Sequence, residues 1–76
     1  MDEMAVNEET LNIEIRKFLK KVGITSQREI EQAVRTARAE GLIRGNETLP
    51  VQVTLTIPGL HLTHRVDGDI TLGNPD

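Results

Sequence analysis

Between Arg44 and Thr48 the apolar residues change their period, and that change most limits what this chain can become. Before it, apolar side chains recur every three or four positions, the repeat of a helix with one buried side. After it, Val51, Val53, Leu55 and Ile57 alternate with Gln52, Thr54 and Thr56, the repeat of a strand with one buried side. A chain that is helical first and extended afterwards is α+β. The chain has 76 residues, which allows one small domain. A chain near this size buries only roughly 60–65% of the surface its unfolded form exposes. With no cysteine, no disulfide or thiolate metal site adds to that narrow margin.

In the helical half, Asn7 is placed to cap a helix, and Glu8 and Glu9 follow at its positive end. Leu11, Ile15, Phe18, Leu19 and Val22 share an arc of about 100°. Gly23 then stands where a left-handed stop residue is wanted, so the spacing predicts a first helix at about 8–22. Ser26 and Glu29 have the separation of a capping box, with Thr25 as a competing cap. Ile30, Ala33, Val34 and Ala37 form a narrower stripe that ends at Gly41, which predicts a second helix at about 26–40.

In the extended half, strands are expected at about 49–57 and 60–72, with Pro58-Gly59 as the turn. The apolar phase of Leu60, Leu62, His64, Val66, Ile70 and Leu72 continues through Asp67-Gly68. A two-residue Asp-Gly hairpin would move Ile70 to the polar face, so one long strand is expected there. A second strand longer than the first would leave part of 67–72 without a partner in its own chain, an edge that invites association.

The expected fold is therefore ααββ: two amphipathic helices on one face of an antiparallel hairpin, dimerising through the sheet. The domain covers 7–72, with mobile tails at 1–6 and 73–76. The expected core is Leu11, Ile15, Phe18, Leu19, Val22, Ile24, Ile30, Val34, Ala37, Leu42, Val53, Leu55, Ile57, Leu62 and Val66.

The net charge of −3 is unevenly placed, since residues 16–44 hold eight of the nine basic residues. Arg16, Lys17, Lys20 and Lys21 lie opposite the first apolar stripe, with Ile13 among them, and Arg28, Arg35 and Arg38 share an arc further on. Such a surface suits either an anionic partner or plain solvation, and Glu31 is spaced to pair with Arg35. The order helix, Gly-containing turn, helix, hairpin resembles a helix-turn-helix followed by a wing, carried by Val22-Gly23-Ile24-Thr25-Ser26. Ile30 lies one position too far from Gly23 for that motif, and no third helix precedes it. The single aromatic, Phe18, leaves no stacking platform for bases, which lowers the nucleic-acid reading further.

Catalysis is not expected. There is no cysteine nucleophile, no Gly-rich phosphate loop and no serine in a nucleophile elbow. His61 and His64, read as strand residues, point to opposite faces and cannot share a metal, and Asp67 with Asp69 is too small a donor set for a cation. Those two carboxylates are read as charges that discourage edge aggregation. No cofactor or metal is expected, and no apolar run is long enough to span a membrane.

Phe18-Leu19-Lys20-Lys21-Val22-Gly23-Ile24-Thr25-Ser26-Gln27-Arg28-Glu29-Ile30-Glu31 and Gly45-Asn46-Glu47-Thr48-Leu49-Pro50, with the strand Thr54-Leu55-Thr56-Ile57, resemble a family of short proteobacterial proteins of unknown function. The resemblance covers about residues 8–72. It implies a small bacterial cytoplasmic protein, the whole gene product, and it transfers no activity, cofactor or site residue. The expected function is a non-enzymatic protein-interaction or self-associating module, a homodimer. The alternative is a weak winged-helix-like nucleic-acid binder that uses Arg16, Lys17, Lys20, Lys21, Arg28, Arg35 and Arg38.

Overall fold

A computed structural model describes residues 5–73. The elements are a helix α1 (Glu8–Ala39), a strand β1 (Thr48–Ile57), a short 3-10 turn (Pro58–Leu60) and a strand β2 (Leu62–Thr71). They fall into two compact units, Met1–Thr36 and Ala37–Asp76. The first is the body of α1. The second holds its last turn, the connecting loop and the hairpin. The expected tails, 1–6 and 73–76, lie mostly outside the described residues.

The two expected helices are one. Asn7 caps α1 as expected, its Oδ1 accepting the Thr10 N–H at 2.9 Å. Gly23, however, does not stop the helix, which runs on for 32 residues. A glycine inside a helix costs about 1 kcal/mol relative to alanine, a penalty the surrounding turns can carry. The continuity has a sequence basis: Ala33 and Ala37 fall on the same arc of about 100° as Leu11, Ile15, Leu19 and Val22, so an unbroken helix carries that apolar side past Gly23. The expected capping box at Ser26 and Glu29 falls within the helix, where Thr25 Oγ1 donates to the Lys21 carbonyl at 2.8 Å. With one helix in place of two, the expected pair of helices covering a sheet face does not form.

The stop is at Gly41, as expected from the sequence. Its φ is +76°, and the Gly41 N–H donates to Arg38 O at 3.1 Å while Leu42 N–H donates to Ala37 O at 2.9 Å. Those two bonds make a Schellman motif, which satisfies carbonyls that the helix end would otherwise leave open.

β1 and β2 pair antiparallel from Thr48↔Thr71 to Ile57↔Leu62 without a break. The chain passes through Asp67-Gly68 as a single strand, as the phase argument requires. The expected overhang is absent, since both strands have ten residues and β2 is paired along its whole length. Leu60 and His61 belong to the turn instead of the strand: His61 closes it with φ +52° and donates its N–H to Pro58 O at 3.1 Å. The comparison of the histidines on two strand faces therefore lapses. His64 stands on the apolar face opposite Leu55.

The expected core is not formed within either unit: no residue among those described is buried. A core needs two layers facing each other, and each unit supplies one.

Candidate functional site

The register of the hairpin sorts its side chains into two faces. Leu49, Val51, Val53, Leu55 and Ile57 share one with Ile70, Gly68, Val66, His64 and Leu62. The other carries Thr48, Pro50, Gln52, Thr54 and Thr56 with Thr71, Asp69, Asp67, Arg65 and Thr63. Along that polar face, Thr48 Oγ1 and Thr71 Oγ1 lie 3.1 Å apart, and Arg65 Nε donates to Asp67 Oδ1 at 3.0 Å.

The Leu72 N–H donates to Glu47 O at 2.9 Å, which makes Glu47 and Leu72 a hydrogen-bonded pair. Alternation from that pair turns the backbone N–H and C=O of Thr63, Arg65, Asp67, Asp69 and Thr71 outward, toward the open side of β2. On β1 the outward set is Thr48, Pro50, Gln52, Thr54 and Thr56. Pro50 has no N–H to offer, so it sits where a proline does the ladder no harm.

A short loop ties the end of α1 to β1. The Glu47 carboxylate accepts the N–H of Arg44 at 2.8 Å and of Gly45 at 2.9 Å. Those donors, Arg44 first and Gly45 second, hold its pKa below the usual carboxylate range. Gly45 has φ +112°, and a Cβ there would stand 2.5 Å from Arg38 Nη1. Any side chain at 45 would thus meet the left-handed backbone penalty and displace the Arg38 guanidinium.

In the helical unit, Leu11, Ile15, Phe18 and Leu19 keep between 43% and 54% of their surface exposed. The residues singled out from charge lie around the other side. Asn12, Ile13, Arg16, Lys17 and Lys20 line one shallow open depression, so the structure brings Ile13 together with three of the expected cations. Lys21, Arg28 and Arg35 are exposed further around and along α1. Arg38 is set apart, lying over Gly45 in the second unit. Gln27 Nε2 donates to Glu31 Oε2 at 3.1 Å, on the same side. Because α1 is continuous, the segment Val22–Ser26 is not a turn and no separate recognition helix follows it. The basis for the winged-helix reading is lost.

Sequence reasoning passed over Glu47, and it placed the open edge at an overhang of 67–72 instead of along the outer side of β2. Glu47 had a visible signal, a carboxylate two positions after a loop glycine. The edge became definable only with the register. Among the described residues no group of three or more His, Cys, Asp or Glu is placed to hold a metal ion, and no helix is long and apolar enough to cross a membrane.

These segments fall within a family match that spans both units. Residues 6–73 match a family of unknown function (DUF6494). The chain belongs to this family. No curated protein and no solved structure matches it. The DUF6494 match covers the capped helix, the Glu47 loop and the whole hairpin, and it assigns no activity to any of them.

Proposed function

We propose that this DUF6494 protein is a non-enzymatic module that works by self-association, a second copy covering the apolar surfaces its own units leave open. One observation carries the reading: neither unit buries a single described side chain. Ordering a residue's backbone costs roughly 1–2 kcal/mol, and apolar burial is the main term that offsets it. In the helical unit Phe18 is 54% exposed, and on the apolar hairpin face Val66 is 52% exposed. A lone helix and a lone two-stranded hairpin are both marginal in water without such cover.

The open side of β2 supports a copy of the same chain as the cover, since Thr63, Arg65, Asp67, Asp69 and Thr71 turn their backbone donors and acceptors outward where an identical strand can meet them.

Sedimentation velocity of the full chain across the micromolar range tests the reading. A mass that rises to a defined oligomer is expected. A stable monomer throughout overturns it.

A further inference from the structure

We infer that two copies of this chain join along β2, antiparallel, in the register that sets Val66 opposite Val66 of the second copy. The inference rests on the self-association proposed above and adds where it occurs and in what alignment.

The open side of β2 has what strand pairing needs. Thr63, Arg65, Asp67, Asp69 and Thr71 point their backbone N–H and C=O groups outward, and none of them is a proline. Among the described residues no other backbone hydrogen bond engages these groups. The open side of β1 is spoiled by Pro50, which interrupts its row of donors. A sheet that adds a copy at β2 therefore ends in two β1 edges. The assembly closes as a two-fold pair instead of growing into a fibre.

Charge chooses among the registers. Outward-pointing residues must face outward-pointing residues, and with β2 spanning Leu62–Thr71 the two-fold centres that leave most of the strand paired are Arg65, Val66, Asp67 and Gly68. A centre at Arg65 sets Arg65 against its own counterpart, and a centre at Asp67 does the same for Asp67. A centre at Gly68 sets Asp67 against Asp69. Only the centre at Val66 sets Arg65 against Asp67 of the second copy, twice by symmetry, with no like charges opposed. The same register sets Leu62 against Ile70 and Val66 against itself on the apolar face. The apolar faces of both hairpins then lie on one side of a four-stranded sheet.

The intrachain Arg65–Asp67 ion pair shows that these side chains already share the polar face. Both remain well exposed, at 60% and 64%, so either can be replaced without opening packed structure.

The test is a charge swap on the full-length chain, read by native mass spectrometry and by sedimentation. R65D puts two aspartates against two aspartates across the two-fold, and D67R puts arginines against arginines. Each is expected to weaken self-association about tenfold, from two cross-strand pairs turned from attraction to repulsion. Mixing the two variants should restore a one-to-one heterodimer, since every opposed pair is then of opposite sign. As a second readout, V66C in this cysteine-free chain should form an intermolecular disulfide under mild oxidation, because directly opposed residues that do not exchange hydrogen bonds stand about 4.5 Å apart at Cα. If R65D and D67R assemble as the unaltered chain does, or V66C stays reduced within an intact assembly, the register is wrong while self-association stands. If the unaltered chain is itself a monomer, both fall.

Discussion

Glu47 shows how one side chain can hold a connection in place. Its two oxygens each accept a loop N–H, so the eight residues after α1 are tied from within. Its lowered pKa sets a sign: the loop bonds are fully present above the ordinary carboxylate pKa and are lost as pH falls through the lowered value. Amide NMR should show the Arg44 and Gly45 signals moving together in acid, and Glu47→Gln should weaken that response. Gly23 offers the opposite experiment. Nothing lies within 4 Å of a Cβ built there, so Gly23→Ala should stabilise α1 by about 1 kcal/mol in thermal unfolding. A loss of stability would reveal something packed onto that position. Phe18 and Ile13 separate the two sides of the helix. As the deletion of a buried core side chain, Phe18→Ala would cost about 3–5 kcal/mol. With Phe18 half-exposed in its own unit, the substitution should instead weaken association, by about 2 kcal/mol per copy, as a titration by sedimentation can measure. Ile13→Ala, on the basic side, should leave association unchanged.

At the scale of elements, the two ends of α1 obey local rules and its middle does not. Asn7 and Gly41 act as cap and stop because nothing competes with their hydrogen bonds at those positions. Gly23, Thr25 and Ser26 carry stop and start signals as strong as those, yet the helix absorbs them. A break there would throw Leu11–Val22 and Ser26–Ala37 onto separate axes, whereas continuity keeps Ala33 and Ala37 on the same arc as Leu11, Ile15, Leu19 and Val22. In the hairpin, Pro50 marks the difference between the two edges. Pro50→Thr restores an outward N–H to β1 and should shift the protein toward assemblies larger than the unaltered chain forms, as light scattering would detect.

At the scale of the whole molecule, folding and association are expected to be one process. If a second copy supplies the missing burial, the thermal midpoint should rise with protein concentration, while a chain that folds alone keeps it constant. Calorimetry at several concentrations distinguishes the two. The sequence by itself determined the α+β class, the cap at Asn7, the Schellman stop at Gly41, the passage of one strand through Asp67-Gly68 and the apolar face bearing His64. Each of those follows from residues within a few positions of one another, or from a period of two that any strand must obey. Tertiary structure decided the rest: that Gly23 lies inside a helix, that β1 and β2 match in length, that Glu47 clamps its loop and that β2 presents the outward edge. Those outcomes depend on competition between local signals and on pairing between residues such as Thr48 and Thr71, 23 positions apart. A linear pattern records the competitors, while the free-energy difference that selects among them arises only when the chain is folded.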